Sequence, residues 1–312
     1  MVILVKVMGA KGQQSAKKVA KQALWISSVG LCLLGGVQTT SFAKPLAPAI
    51  HPLASRVATQ ATKTAVEIPL DDDSTAVNSA ARGNIGTTEI TEITEADGTT
   101  VILPPGYDTS RQYPALVLMP YTDRTALHMF NWGIYDAYQK RYSGSAEDNA
   151  FVIIMPPGQG SSANWSGYGW ESLVNEYEAY VQQDLDPIAA KYNVDLNNMV
   201  VGGFSLGGDL SWTLSLRNPG LFSGAIVMGS MSTYRDTENA QLLAESNFRY
   251  FMVMGGYDGN RGSMHSALDT LDQHDIDYHY EEVSNAGHGD LPEHMQNDLF
   301  LSAMDYVLEA SF

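Results

Sequence analysis

Short apolar runs recur along the chain from residue 87 onward, and segments of helical pattern separate them. The runs are nearly continuous rather than alternating, which is typical of strands that are buried on both faces of a parallel sheet. Strands separated by helices predict an α/β fold in which a mostly parallel central sheet carries helices on both faces. The predicted strands are Ala115–Met119, Phe151–Met155, Met199–Phe204, Ala225–Met228, Tyr250–Met254 and Tyr278–Val283.

Two further patterns complete the predicted sheet and one long helix. Thr88–Ile93 alternates between polar and apolar residues, Asp97-Gly98 favours a turn, and Thr99–Leu103 returns, which together indicate a β-hairpin. The hairpin brings the sheet to about eight strands, an ordinary size for such folds. Apolar residues recur at helical spacing between Leu173 and Tyr192, and we therefore predict a long helix before the strand at 199–204.

The first 43 residues differ from the rest of the chain. They contain lysines without acidic residues, then the mostly apolar block Ala23–Val37, then the small-residue pattern Ser41-Phe42-Ala43. This order predicts a secretory signal peptide, residues 1–43, and hence a secreted or periplasmic protein. An uncleaved anchor is the alternative, although the block is short for a bilayer span. The only cysteine, Cys32, lies inside the signal.

The remaining chain divides into a linker and one α/β domain. Residues 44–86 are rich in Ala, Thr and Pro without apolar periodicity, so we predict a disordered linker there and the α/β domain at 87–312. A net charge of −17 argues against nucleic acid or an anionic membrane as a partner. After signal cleavage we expect no stable membrane insertion. No zinc, dinucleotide or phosphate-loop motif is present, so we expect neither a metal nor a cofactor.

The segment Gly203-Phe204-Ser205-Leu206-Gly207 carries the strongest chemical signal in the chain. A Gly-x-Ser-x-Gly pattern directly after a predicted strand is typical of a sharp strand-to-helix turn that presents a nucleophilic serine. Glycine is favoured at both flanks because the neighbouring backbone leaves no room for a Cβ atom. The pattern makes Ser205 the candidate nucleophile and the backbone N–H of Leu206 a candidate oxyanion donor.

Two later residues complete a candidate triad in the chain order Ser, Asp, His. Asp258 follows the predicted strand that ends at Met254, and His288 follows the strand that ends at Val283. A serine hydroxyl needs an imidazole to accept its proton, and the imidazole needs a carboxylate to orient it. Asp275 and Asp277 are alternative acids.

A second histidine, His128, follows the strand that ends at Met119 and is an alternative base, although it precedes the serine. For Asp258 and His288, an ordinary turn residue and an ordinary loop histidine are the non-catalytic interpretations.

Several segments resemble the secreted α/β-hydrolase serine esterases, a group with esterase D-like, feruloyl and acetylxylan esterase, and polyhydroxyalkanoate depolymerase-like branches. The resemblance covers residues 87–312 and rests on Pro105–Asp108, Tyr113–Leu118, Ala190–Asp195, Gly203–Gly208 and Asn218–Gly224. It implies the α/β-hydrolase fold and hydrolysis of carboxylic esters without a cofactor.

The chain departs from this resemblance at one point of the oxyanion hole. Where the family has His-Gly after the third strand, this chain has Met119-Pro120-Tyr121-Thr122. The second oxyanion donor is expected from this loop, and Pro120 has no N–H. Tyr121 is therefore the first candidate for that donor and Thr122 the second.

The resemblance implies an ester substrate, small or derived from a polymer, of the feruloyl, acetyl or hydroxyalkanoate type. The segment Gly229–Phe248 has room for one helix only, which predicts a site without a large lid. Three aromatic residues after the fourth predicted strand, Trp165, Tyr168 and Trp170, are candidate substrate contacts, and packing at a helix end is their alternative role.

Two functions are alternatives to an esterase. The first is a serine peptidase or thioesterase on the same fold, because the same triad can cleave esters, amides and thioesters. The other is a non-catalytic binding module that has kept the hydrolase fold.

Overall fold

The computed structural model describes residues 89–142, 150–165, 167–295 and 299–308, and within them one eight-stranded sheet. The signal predicted at 1–43 and the linker predicted at 44–86 lie outside the described residues. The strands are β1 Thr91–Thr94, β2 Thr100–Leu103, β3 Tyr113–Leu118, β4 Val152–Met155, β5 Val194–Phe204, β6 Gly224–Met228, β7 Arg249–Gly255 and β8 Asp277–Val283.

The strand order is β1-β2-β4-β3-β5-β6-β7-β8. The hairpin β1–β2 joins the sheet antiparallel through β4, and all pairs from β4 to β8 are parallel. Strands β2, β3, β4, β6 and β7 are almost fully buried apolar runs, and so is β5 from Met199 onward, as their sequences predict. The predicted α/β-hydrolase fold with a mostly parallel sheet of eight strands is confirmed.

Seven of the nine α-helices in the described residues fall into two groups whose members contact one another, as expected when a parallel sheet is covered on both faces. Helices α1, α2, α8 and α9 form one group, and α3, α5 and α6 belong to the other. Their bounds are α1 Ala126–Gly133, α2 Tyr135–Tyr142, α3 Gly167–Ala179, α4 Leu185–Lys191, α5 Leu206–Arg217, α6 Thr237–Glu245, α7 Arg261–Gln273, α8 Leu291–His294 and α9 Phe300–Leu308.

The long helix predicted before β5 is interrupted by one wider turn. Helix α3 runs into a π-helical turn at Tyr180–Asp184, and α4 continues from there. Pro187 explains the irregularity, since it lacks the N–H that would bond to the carbonyl of Gln183 and its ring crowds that carbonyl. Hydrophobic spacing does not reveal such a turn, because the apolar face continues through it.

The parallel strands β3 to β8 all end at one edge of the sheet, and this edge carries the candidate site. The connection from β6 to β7 contains α6 alone, so no large lid is inserted there. A membrane-crossing helix, which has to be long and apolar, is not found among the described residues.

Candidate active site

Ser205 lies on a sharp turn between β5 and α5. Its backbone has φ 55° and ψ −120°, a conformation that residues with a side chain rarely adopt. Close packing maintains this turn, because a Cβ atom at Gly203 would lie 2.5 Å from the backbone of Gly207. The Ser205 amide donates to the Met228 carbonyl oxygen at 2.8 Å, which ties the turn to β6.

The turns after β7 and β8 bring the predicted acid and base to Ser205. The Ser205 Oγ lies 2.9 Å from His288 Nε2, and His288 Nδ1 lies 2.7 Å from Asp258 Oδ2. Ser205 and Asp258 are buried, whereas 36% of the His288 side chain is exposed. The three predicted triad residues therefore form one continuous hydrogen-bonded chain.

These distances assign one tautomer to the imidazole. An ionised carboxylate can only accept a hydrogen bond, so Nδ1 of His288 carries the hydrogen and donates it to Asp258. Nε2 is then an acceptor for the Ser205 hydroxyl. In this form the imidazole can take a proton from the serine, as a general base must.

The alternative acids and base lie elsewhere. Asp277 begins β8 and lies opposite Arg249 in the strand register, at the start of β7. Asp275 lies in the turn before β8. Both are at the opposite edge of the sheet from His288, roughly 20 Å away along a seven-residue strand. His128 pairs through Nδ1 with the Tyr121 hydroxyl at 2.7 Å instead.

Three residues that the sequence did not single out support the triad. The Phe204 ring packs 4.9 Å from the His288 ring, and the backbone N–H of Asn260 donates to Asp258 Oδ1 at 2.8 Å. Asp209, in the first turn of α5, is buried behind Ser205. Asn260 follows Asp258 by two residues, an Asx-turn spacing that could have indicated it, whereas Asp209 has the sequence pattern of a solvated helix position.

The candidate oxyanion hole lies between α5 and the loop after β3. The Leu206 amide is at the first position of α5, where N–H groups have no acceptor within the helix. Gly207 packs against the loop so closely that a Cβ atom there would lie 2.7 Å from the Pro120 carbonyl oxygen. The Tyr121 amide donates to the Arg124 carbonyl at 3.3 Å, a long hydrogen bond that an oxyanion could replace.

The predicted aromatic contacts have different surroundings. Trp165 is partly buried, and its indole N–H donates to the Thr122 hydroxyl at 3.1 Å, so it borders the candidate oxyanion loop. Tyr168 is 91% exposed, and Trp170 is partly buried against the core.

A groove of about 470 Å³ on α1, which the sequence did not indicate, is lined by His128, Asn131 and Trp132. It adjoins the site through Phe204, whose ring lies 6.2 Å from Trp132 and 5.5 Å from Tyr121.

Within the described ranges, the structure contains no group of three or more His, Cys, Asp or Glu side chains able to hold a metal ion. The arrangement around Ser205 consists of a hydroxyl, an imidazole, a carboxylate and nearby backbone N–H groups. Such a set can carry out acyl transfer with its own side chains.

Solved structures share this fold. A ferulic acid esterase from Anaeromyces mucronatus, solved in complex with ferulic acid, has 14% identity and a TM-score of 0.56, covering 74% of this chain and 95% of its own. A mutant feruloyl esterase module from Clostridium thermocellum, complexed with sinapinate, has 15% identity and a TM-score of 0.51, with the same coverage of 74% and 95%. At these identities the likeness shows the fold.

No curated protein matches this sequence. One protein-family model matches the sequence, from β1 to the middle of α7, and the match includes the turn at Ser205 and Asp258. Because it matches residues 91–267, more than half of the chain, the protein belongs to the Putative esterase family and is a carboxylic ester hydrolase.

Proposed function

We propose that this esterase acts through a Ser205–His288–Asp258 triad and an acyl-enzyme intermediate. The observation that carries the proposal is the hydrogen-bonded chain with distances of 2.9 Å from Ser205 to His288 and 2.7 Å from His288 to Asp258. Both contacts lie in the range that direct proton transfer requires.

The geometry supports the following acylation step. Ser205 Oγ forms a bond to the ester carbonyl carbon while its proton passes to His288 Nε2. The bond between that carbon and the alcohol oxygen then breaks, and His288 returns the proton to the leaving alcohol. Asp258 stabilises the imidazolium that exists between these two transfers.

Deacylation repeats the same proton transfers with water. His288 takes a proton from a water molecule whose oxygen bonds to the acyl carbon, and the bond to Ser205 Oγ then breaks. Ser205 recovers the proton and the carboxylic acid leaves. In both steps the carbonyl oxygen carries negative charge, for which the Leu206 amide and the amide of Tyr121 or Thr122 are the proposed donors.

The open site favours soluble esters and chain ends of polymers over lipid interfaces, since α6 alone separates β6 from β7. Trp165 beside the oxyanion loop and Trp132 in the neighbouring groove offer flat apolar surfaces for an acyl group or its alcohol. Two structural neighbours hold ferulic acid and sinapinate. Hydroxycinnamoyl esters are therefore the first class to test, followed by acetyl and hydroxyalkanoyl esters.

We also propose that residues 1–43 direct export and are removed by cleavage after Ala43. The lysine-rich start, the apolar block and the small residues before Lys44 support this proposal. Amino-terminal sequencing of the protein recovered outside the cytoplasm should therefore begin at Lys44. Recovery of the uncleaved chain in the membrane fraction would instead support an anchor.

The decisive experiment compares the chain with Ser205→Ala on a panel of substrates. The panel contains p-nitrophenyl acetate, butyrate and octanoate, methyl ferulate, a thioester and an aminoacyl nitroanilide. We expect ester turnover that falls by about 10⁴-fold or more in Ser205→Ala, while the folded state is retained. Faster cleavage of the thioester or nitroanilide would favour the alternative functions, and fluorophosphonate labelling at another residue would contradict the triad.

A further inference from the structure

Asp209 is a buried carboxylate to which the proposed chemistry assigns no part. It lies in the first turn of α5, four residues after Ser205, and its amide donates to the Ser205 carbonyl at 3.0 Å. Only 7% of the residue is exposed. A carboxylate in such a place is costly unless hydrogen-bond donors surround it.

The donors come from one short loop, Gly229–Ser232, which follows β6. Oδ1 of Asp209 accepts from the Ser230 hydroxyl at 2.7 Å and from the Ser232 amide at 2.8 Å. The amide of Met231 is a third donor to the same carboxylate. Burial raises the pKa of Asp209, and these hydrogen bonds together with nearby His288 oppose the rise.

The loop needs such an anchor because its backbone is strained at Ser232. Gly229 and Ser232 have φ values of 57° and 48°, in the left-handed region. For Ser232 this conformation is unfavourable, and its backbone and the Ser230 hydroxyl are both held within the Asp209 cluster. The carboxylate therefore offsets the strain of the loop.

The same loop packs against His288 and is joined to Asp258 through Asn260. A Cβ atom at Gly229 would lie 3.3 Å from Cε1 of the His288 ring, so the loop backbone forms one wall of the imidazole site. The Gly229 carbonyl accepts from the Asn260 side-chain amide at 2.9 Å. The backbone N–H of Asn260 donates to Asp258 Oδ1.

From these contacts we infer that Asp209 is a positioning residue for the triad. It binds the loop Gly229–Ser232 to the helix that carries Ser205, and through Gly229 it sets the distance of His288 and Asp258 from the nucleophile. The inference rests on the proposed function, because it concerns the same triad.

A carboxylate is required here rather than an amide. Three N–H or O–H groups point at Asp209, and a carboxylate can accept from all of them. In Asp209→Asn the amide has one acceptor atom and two donor hydrogens, so at least one donor of the loop faces another donor. The side-chain volume hardly changes, and the loop is expected to shift without a cavity.

The test compares Asp209→Asn with Asp236→Asn as a matched control. Asp236 is on the same β6–β7 connection, but it caps α6 by accepting from the Asn239 amide, and its side chain bonds to Asn239 and Tyr234 rather than to the loop or the triad. Three quantities are measured for each: kcat and KM with p-nitrophenyl acetate, the rate of fluorophosphonate labelling of Ser205, and the unfolding temperature.

We expect Asp209→Asn to lower kcat and the labelling rate by about 10- to 100-fold with little change in KM, because a displacement of about 1 Å is costly to oriented chemistry. Asp236→Asn should lower the unfolding temperature and leave kcat and labelling unchanged. If Asp209→Asn fails to fold, Ser230→Ala removes one donor alone and should lower kcat and labelling by about threefold to tenfold.

Wild-type kcat and labelling in folded Asp209→Asn, or in Ser230→Ala where Asp209→Asn is unfolded, would overturn the inference. If Ser205→Ala nevertheless loses activity, the proposed triad stands and only the role of Asp209 is wrong. Activity retained in Ser205→Ala would instead overturn the proposed function.

Discussion

The two sides of the candidate site are built in different ways. The side formed by the ends of β5 to β8 holds Ser205, Asp258 and His288 through close glycine packing and buried hydrogen bonds. The side formed by the ends of β3 and β4 consists of aromatic rings, and its outer members are exposed: His128 lies at the surface and Tyr168 is 91% exposed.

Under the proposed function, this difference separates chemistry from recognition. On the triad side a small displacement would disturb proton transfer, and the side chains of Ser205, His288 and Asp258 each have a defined hydrogen-bond partner. On the aromatic side the rings need only present a surface, and side chains there can change without disturbing the strand ends. Substitutions on the triad side should therefore lower kcat, and those on the aromatic side should mainly raise KM.

The largest effect expected within this comparison is at the acid. Asp258→Asn should lower kcat by about 10³-fold or more, because an amide favours the wrong tautomer of His288. Asp277→Asn, at the opposite edge of the sheet, should leave kcat within about twofold of the wild type. Steady-state kinetics of both variants with p-nitrophenyl acetate tests this, and the reverse ranking would move the acid to Asp277.

The next effect lies at the boundary between the two sides. Tyr121→Pro deletes the proposed oxyanion N–H and should lower kcat by about 10²-fold or more. Tyr121→Ala keeps the amide and loses the ring, so it should mainly raise KM. If folded Tyr121→Pro, checked by circular dichroism, is as active as Tyr121→Ala, the donor is Thr122 or another group.

A smaller effect is expected on the aromatic side. Trp132→Ala should raise KM for methyl ferulate by roughly three- to tenfold and leave kcat almost unchanged, since lost apolar contact is worth about 1 kcal/mol. The matched control is Tyr135→Ala on the following helix, at a partly exposed ring that packs on Phe130. Equal KM values for wild type and Trp132→Ala would exclude the groove from substrate binding.

The smallest effect belongs to a residue on neither side. Glu95 accepts from Lys191 at 2.8 Å and from the Tyr192 hydroxyl, and these hydrogen bonds lower the pKa of its carboxyl from the usual glutamate value. The resulting stability is present above about pH 4.5 and is lost as the pH falls through the pKa of the folded state. Glu95→Gln should lower the free energy of unfolding at pH 7 by up to about 1 kcal/mol.

Urea unfolding at pH 7 and at pH 3.5 would measure this difference, which should shrink at the lower pH. The activity of Glu95→Gln is expected to equal that of the wild type, because the ion pair joins the β1–β2 turn to α4 and lies outside the site. A pH-independent difference would contradict the assignment of the effect to the Glu95 carboxylate.

Much of the fold followed from local sequence pattern. Continuous apolar runs predict the parallel strands because burial on both faces leaves no polar face, and glycines mark the turns at Ser205, Asp258 and His288. Strand pattern left Asp277 as an alternative to Asp258, and the direction of β8 places Asp277 at the opposite end of that strand from His288. Domain boundaries before residue 89 stay predictions.

The residues that the sequence could not indicate make their contacts with segments that are distant along the chain. Asp209 is an acidic residue in the first turn of a helix, where an exposed position is the ordinary expectation, and Trp132 is one of several apolar residues of α1. Only the packing against the loop after β6, and against Tyr121 and Phe204, shows what each contacts. The groove is likewise formed by tertiary packing, which the spacing of apolar residues along α1 does not predict.

The contact between Gly207 and the Pro120 carbonyl has a consequence for engineering. Because a Cβ atom at Gly207 would lie 2.9 Å and 2.7 Å from the carbonyl oxygens of Met119 and Pro120, that backbone contact sets the width of the proposed oxyanion hole. Loops transplanted from other esterases can therefore vary from Asp123 onward, where the residues are exposed. Any graft that moves the peptide planes of Met119 to Thr122 would change substrate turnover before it changes substrate choice.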